Sequence, residues 1–477
     1  MKKFDLNIEK ILENWDLKHA VREVIANAID EQHLTNSNEI QIFKDQQGAW
    51  HIRDFGRGLR YEHFTQKEND EKLSTDGIIG KFGIGLKDAL ATFERKGISV
   101  KILSRHGDIT LGKSQKSGFD DLVTLHAYIS DPSIPSLVGT DFVLYQIFDS
   151  DINLAKQLFL KFNQEQVVEN TKYGQVLQKS GSQGNIYING VLVATEDNFL
   201  FSYNITLLNS AIKKAINRER ANVGRSAYQL IVKNILLSCE SKDVADLLTN
   251  DLRQYSSGNV HDELKWLDVQ QHAATILNKF QKVIFVTAEE IEKGTDLVDE
   301  ARKGNFQVVA IPSNLRDKLI EQNKLELERQ IDNPESTVEM VRTFNQFVQE
   351  RNNNFEFKFI EESDLSLSEK AVWKLKDSVL TMIGGMPLNV HVIKISETMQ
   401  KDSFTFQAAD GLWQPYENRV IIKRSVLQSE QRFIGVLLHE LAHAMSGATD
   451  ATRAFESELT RLLGVIGNRA VLANLKY

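Results

Sequence analysis

His439 and His443 stand four residues apart, with Glu440 directly after the first, in the run Val436-Leu437-Leu438-His439-Glu440-Leu441-Ala442-His443-Ala444. Its apolar, helix-favouring neighbours predict a helix, on which positions four apart share a face. Two neutral imidazoles can then meet one ion, while Glu440 falls near enough to take a proton from an ion-bound water without being a ligand. That set suits Zn²⁺-assisted hydrolysis, in which the metal activates water and a carboxylate accepts its proton. With 11 His in 477 residues, a chance match is expected in roughly 2% of such chains. A merely solvated helix face is therefore the poorer account of the pattern.

A second group of candidates lies near the start. The run 16–30 predicts a helix with Ala20, Val21, Val24, Ile25 and Ala28 on its apolar side, and Glu23, Asn27 and Asp30 on another face. Mid-helix Asn costs helix propensity, which points to a specific task. A strand over 39–43 and the run Trp50-His51-Ile52-Arg53 follow, ending in Asp54-Phe55-Gly56-Arg57-Gly58, a turn suited to close backbone approach. Next, Gly77-Ile78-Ile79-Gly80-Lys81-Phe82-Gly83-Ile84-Gly85-Leu86-Lys87 opens a helix over 88–95. Glycines and a lysine ahead of a helix N-terminus can cradle phosphates.

Together these three elements resemble the GHKL ATPases, the group that includes gyrase-type topoisomerases, heat-shock chaperones, histidine kinases and mismatch-repair ATPases. The helix motif E-x-x-x-N-A-x-D is Glu23 to Asp30, the D-x-G-x-G turn is Asp54 to Gly58, and Gly80, Gly83 and Gly85 match the lid glycines. Gly139-Thr140, ahead of a strand over 141–146, looks like the closing strand of that fold. The resemblance covers about residues 10–150. It implies that Asn27 holds Mg²⁺ against the phosphates of ATP through a hard amide oxygen. Asp54 would accept from the adenine amino group beside Thr140, and Gly56 and Gly58 would admit the base and sugar. Gly80, Lys81, Gly83, Gly85 and Lys87 would wrap the phosphates. Glu23 matches the carboxylate that activates water in the hydrolysing members, although histidine kinases use the same helix without that step. A downstream cation often reaches the γ-phosphate in such proteins, and Arg218, Arg220 and Arg225 are the candidates.

The last 140 residues resemble zincin metallopeptidases, chiefly through the His439–His443 motif. Expected elements are a helix over 337–350, a strand over 355–360, a helix over 369–382, strands over 389–395 and 419–423, the motif helix, and a closing helix over 454–465. The third zinc ligand stays open. The extended metzincin spacing fails, because Ser446 and Thr449 hold its positions. Gly447 and Asp450 are displaced by one, leaving Asp450 an outside candidate. The gluzincin pattern offers Glu456 or Glu458, and Glu456 is favoured because it shares a helical face with Leu459 and Leu463. The Asp expected four residues after such a Glu is replaced by Thr460. Tyr416 lies upstream, with no role assigned.

Composition sets the frame. A chain of 477 residues, 42% hydrophobic and 26% charged, is long enough for about three globular domains. A net charge of −8 gives no general nucleic-acid-binding field. No apolar run reaches membrane-spanning length, and a cytoplasmic location is expected. The single Cys239 excludes an internal disulfide or a cysteine-based zinc cluster. The expected class is α+β multidomain. Residues 1–150 would form a Bergerat-type ATP-binding α/β sandwich, and 151–240 an ATPase extension. A small α/β coupling region and linker would span 241–335, and a zincin-like α+β domain 336–477. The strand 185–193 contains an Asn-Gly turn signal, and the charged stretch 321–335 is the best linker, with Ser336 available to cap the next helix.

The functional expectation is an ATP-regulated zinc endopeptidase with a protein or peptide substrate, open to an ATP-dependent homodimer or a partner protein, and suited to stress or defence. The alternative is a GHKL chaperone or sensor with a non-catalytic metal-binding C-terminal domain. A histidine kinase is disfavoured because no phospho-acceptor hairpin precedes the ATP domain.

Overall fold

In the computed structural model, helix α1 (Leu17–Thr35) forms because Val21, Val24, Ile25 and Ala28 make one apolar stripe, capped by Asp16 at its start and by left-handed Asn36 (φ 48°) at its end. The structure describes residues 2–6, 15–64, 71–72, 75, 77–80, 85–116, 118–119, 122–215, 223–254, 259–332, 340–402 and 405–474. The chain divides into two compact units, residues 1–277 and 278–477. That boundary falls inside the expected coupling region.

The first unit opens with an antiparallel seven-stranded sheet. Its strands are β1 (Lys2–Asp5), β2 (Gln41–Lys44), β3 (Trp50–Arg53), β4 (Ser99–Ser104), β5 (Asp108–Gln115), β6 (Val123–Ser130) and β7 (Thr140–Tyr145), in the order β1-β6-β5-β4-β7-β3-β2. Helix α1, α2 (Gly85–Arg95) and α3 (Asp149–Lys156) share one core with this sheet, built on Val21, Val24, Ile52, Leu90, Phe93, Ile102, Leu144 and Ile152. Each fully buried aliphatic side chain of this kind contributes roughly 1.5–3 kcal/mol.

A second sheet follows, ordered β11-β10-β12-β9-β8, with strands β8 (Val167–Thr171), β9 (Gly174–Leu177), β10 (Gly184–Ile188), β11 (Val191–Glu196) and β12 (Ser202–Ile205). The expected strand 185–193 is in fact the β10–β11 hairpin. Asn189 (φ 47°) and Gly190 (φ 77°) form its turn, both left-handed as a two-residue hairpin prefers. Helices α4 (Ser210–Ala215), α5 (Arg225–Leu236), α6 (Lys242–Leu252) and α7 (Leu267–Phe280) complete this part of the chain.

In the second unit, parallel strands β13 (Val283–Val286) and β14 (Gln307–Ala310) pair among helices α8 (Ala288–Lys293), α9 (Thr295–Lys303), α10 (Ser313–Asp332) and α11 (Phe344–Asn353). Two expectations change here. Residues 321–332 are helix, not linker: Leu319 and Asn323 are buried, and the pairs Lys318–Glu321 and Glu326–Arg329 brace the exposed side. Helix α11 begins at Phe344 rather than 337, because Thr343 forms a capping box with Gln346. Ser336 and the preceding residues 333–335 lie outside the described residues.

The last sheet is ordered β15-β16-β18-β17, from β15 (Phe359–Ile360), β16 (Val392–Ser396), β17 (Gly411–Gln414) and β18 (Arg419–Lys423). Strand β15 is shorter than the expected 355–360, and β17 has no counterpart among the expected strands. Ile393, Ile395, Val420, Ile422 and Trp413 face helices α12 (Leu367–Ile383), α13 (Glu430–Ser446) and α14 (Arg453–Asn474) in one core with Trp373, Phe433, Leu437, Leu441 and Leu462. Among the described residues, no helix is long and apolar enough to cross a membrane.

Candidate metal centre and nucleotide-type site

Helix α13 starts where Ser429 accepts the Arg432 N–H and stops at Gly447, whose left-handed conformation (φ 64°) returns its N–H to the His443 carbonyl. Phe433, Leu437, Leu438 and Leu441 are buried on its core side. His439 and His443 therefore lie on another face, one turn apart. Beyond the cap the chain folds back, and Asp450 meets both rings. Its Oδ1 is 3.2 Å from His439 Nε2 and 3.3 Å from His443 Nε2, and the two Nε2 atoms are 3.2 Å apart. Tetrahedral coordination with bonds of about 2.0–2.1 Å requires ligand atoms about 3.3 Å apart. The triangle already has that spacing, so these three residues fit a small tetrahedral ion and leave its fourth position open.

The surroundings suit ligation. His443 Nδ1 lies 2.8 Å from the Ala448 carbonyl. An acceptor there keeps the proton on Nδ1 and turns the Nε2 lone pair toward the centre. Phe455 stacks on His443 at 4.2 Å and meets His439 edge-on at 4.9 Å, limiting both rings' freedom. Burial lowers the His439 pKa, with Asp450 opposing and His443 adding to the effect, which favours the neutral, ligating form.

Glu440 is buried. Burial pushes its carboxyl up to about 8, a backbone hydrogen bond from Trp413 opposes this, and the Asp450 charge adds to it. Strand β17 lies tight against this side chain. A Cβ on Gly411 would sit 2.6 Å from Glu440 Cγ and 2.7 Å from both Glu440 Oε1 and Val436 Cγ1. Only glycine allows the strand to approach so closely.

Glu456, the favoured third ligand from sequence, is exposed and does not join the histidines. The stripe that docks α14 is Phe455, Leu459, Leu462 and Ile466, while Leu463 is 55% exposed. The helix is thus rotated by about one residue, about 100°, from the expected setting, and Glu456 turns outward with Leu463. Glu458 pairs with Arg461 at 2.7 Å. Asp450 takes the third position. The signal for it was Gly447: a glycine cap at the helix end reverses the chain and brings the next acidic residue back.

In the first unit, α1, β3 and β7 gather several of the nucleotide-site candidates. Asp54 ends β3 and bridges to β7: its N–H donates to the Thr140 carbonyl at 3.0 Å, and its Oδ1 accepts from Gly56 N–H at 2.9 Å and Thr140 N–H at 3.3 Å. Burial pushes this carboxyl up to about 6 from an ordinary 3.8, with the backbone hydrogen bonds opposing and Glu31 adding repulsion. Gly139 (φ 83°) makes the approach possible, since a Cβ there would fall on the Asp54 carbonyl. Gly58 follows in the turn with φ 88°.

Asp30 is buried on α1 and accepts from the Ile79 and Gly80 N–H groups, each at 2.7 Å, which anchors Gly80 to the helix. Asn27 Oδ1 accepts from Lys72 at 3.3 Å, and Lys72 also pairs with Asp30 at 3.2 Å. Glu23 is buried, receives Arg22 Nη2 at 2.9 Å, and lies against Gly85 at the start of α2. Lys87 is buried, and burial lowers its ammonium pKa against the charges of Asp88 and Asp5. It does not present a free cation to solvent here. Arg225 pairs with Asp262 at 2.6 Å and covers the Phe199 ring, so it is held within its own part of the unit. Lys81, Gly83, Arg218 and Arg220 lie outside the described residues. Sequence reasoning missed Lys72 and the Arg57 bridge, in which Arg57 joins Glu31 at 2.9 Å to Glu71 at 2.8 Å.

Fold and site define an α+β protein of two units, with a His-His-Asp cluster in the second. Residues 150–242 match the Mycoplasma pneumoniae MPN635 N-terminal domain. An uncharacterized protein of Mycoplasma pneumoniae is 36% identical over 248 residues, covering 51% of this chain and 100% of the relative. A second uncharacterized protein from the same organism is 24% identical over 341 residues, covering 68% of this chain and 93% of its own. The chain belongs to the family of the first of these relatives.

Proposed function

We propose that this protein is a zinc endopeptidase whose activity is governed by ATP bound at a GHKL-type site, with Mg²⁺ held at Asn27. The observation that carries the peptidase half is the 3.2–3.3 Å triangle of His439 Nε2, His443 Nε2 and Asp450 Oδ1. Those residues would hold Zn²⁺, which when bound acidifies water and polarises a carbonyl. With the charge of a bound ion drawing its carboxyl back down toward the ionised form, Glu440 would take the proton from the water and deliver it to the leaving amine. The Trp413 backbone hydrogen bond fixes that carboxyl in place. Among the described residues, strand β17 pairs on one side only, with β18. An extended peptide can add to its free edge through main-chain hydrogen bonds, which suits a protein substrate.

Support for the nucleotide half comes from the Asp54–Gly56–Thr140 cluster, which packs against Glu31 of α1 through Gly56, and from Asp30 on the same helix, which anchors Gly80. The seven-stranded sheet with helices in its core is compatible with the Bergerat arrangement, and the second unit with a zincin. A cytoplasmic setting and a nucleotide-dependent homodimer belong to the same reading. The metal assignment is tested by zinc content. Wild type and Glu456→Ala should each carry about one zinc per chain, and Asp450→Ala should lose most of it. Zinc retained in Asp450→Ala but lost in Glu456→Ala would reverse the assignment.

A further inference from the structure

Three acidic or amide side chains on one face of α1 are tied to residues 71 and 72. Asn27 and Asp30 hold the Lys72 ammonium at 3.3 and 3.2 Å, and Glu31 holds Arg57, which in turn holds Glu71 at 2.8 Å. Positions 27, 30 and 31 are one helical turn apart, so the two adjacent residues are fastened across the face that the nucleotide reading gives to Mg²⁺ and phosphate. The Lys72 side chain is only 16% exposed and that of Asp30 only 1%. Gly80, whose N–H also binds Asp30, is packed beside the same ammonium, with the Lys72 Nζ 3.7 Å from where its Cβ would be.

Mg²⁺ binds an amide oxygen at about 2.0–2.1 Å. An ammonium 3.3 Å from that same oxygen would lie within strong repulsion of the ion. The two cations cannot share Asn27 Oδ1 in this arrangement. We infer that Lys72 is an internal competitor of Mg²⁺: it fills the cation position in the nucleotide-free protein and must leave Asn27 before Mg²⁺·ATP is seated. The inference rests on the nucleotide reading and deepens it, because it raises the Mg²⁺ concentration that loading requires above what the ligands alone would set. Release of Lys72 also frees a positive charge next to incoming phosphates.

The test is calorimetric titration of Mg²⁺ into the full-length protein with a fixed concentration of a non-hydrolysable ATP analogue. Lys72→Gln keeps a hydrogen-bond donor for Asp30 and removes the charge. Its half-saturating Mg²⁺ concentration should fall at least about fivefold below wild type, the lower end of ordinary coupling between sites. Lys72→Arg, which keeps the charge, should hold the wild-type requirement. Lys72→Met, similar in length, serves for the same comparison if the Gln variant fails to fold by circular dichroism. An unchanged or higher Mg²⁺ requirement in the neutral variants overturns the inference while leaving nucleotide binding intact. Failure of the wild type to bind the analogue at any Mg²⁺ concentration overturns the nucleotide reading, and this inference with it.

Discussion

Asp54→Asn should stabilise the nucleotide-free first unit at neutral pH while weakening the proposed nucleotide site. Burial pushes Asp54 up to about 6 from an ordinary 3.8. A carboxyl raised in this way favours folding while it is protonated, and that advantage disappears as pH rises from the unfolded value through the folded one. At 1.36 kcal/mol per pH unit, ionised Asp54 costs the fold about 3 kcal/mol above pH 6 that it does not cost below pH 4. An amide avoids this charge. Its oxygen can still accept from the Gly56 and Thr140 N–H groups, while its new NH₂ needs an acceptor and costs about 1–2 kcal/mol if it finds none. That second cost does not vary with pH, so it cancels when the variant is compared with wild type at two pH values.

The assay is amide hydrogen exchange in the peptides covering β3 and β7, which reports opening of this unit without the other. After correction for intrinsic exchange rates, the stability of Asp54→Asn relative to wild type should rise by about 2–3 kcal/mol between pH 4 and pH 7.5. Binding of an ATP analogue should fall at the same time, because the amide is a weaker acceptor for the adenine amino group than a carboxylate. A stability difference that is flat with pH would refute the claim that a buried charge at Asp54 is held against its solvation preference.

Two further consequences follow from the second unit. Gly411→Ala places a methyl 2.6–2.7 Å from Glu440 and Val436, so thermal unfolding should show a loss of about 1–3 kcal/mol, and the proposed peptidase activity should be lost even where the variant holds zinc. Arg424 holds the Glu369 carboxyl down to about 2 through its guanidinium hydrogen bonds, joined by the Ser366 backbone N–H. A depressed carboxyl contributes stability that is present above its unfolded value near 4.5 and lost as pH falls toward 2. Arg424→Ala should therefore lower the unfolding midpoint of the full chain at pH 7 and much less near pH 2, and an equal loss at both would assign the effect to packing.

What was legible in the sequence was local. Helix α1 follows from one apolar stripe, the Asn189-Gly190 hairpin from its turn chemistry, and α13 from its Leu and Ala run. The spacing of His439 and His443 needs only the helical repeat, so the structure keeps the two rings on one face. The third metal candidate depends instead on where the chain goes after Gly447 and on the rotation of α14 about its own axis. A shift of one residue exchanges Glu456 and Leu463 for Phe455 and Leu462, and the sequence pattern tolerates both settings. Strand β17 is four residues long with a glycine at its start, too short for alternation to mark it. Residues 321–332 look like a linker because they are charged, but ion pairs along the helix and a few buried contacts suffice to hold them helical. Lys72 sits in no motif. Its position is set by tertiary contacts with Asn27 and Asp30, which no spacing announces.

The most direct test of the central claim is to map new peptide termini after adding purified protein to a cell lysate, with and without ATP, comparing wild type with Glu440→Gln. The Gln variant keeps His439, His443 and Asp450 and removes only the proton acceptor. Zinc-dependent cleavages should appear with wild type, change with ATP, and be absent with Glu440→Gln at equal zinc content. Cleavage that persists in the Gln variant, or a wild type that holds zinc and produces no new termini in either nucleotide condition, would contradict the account.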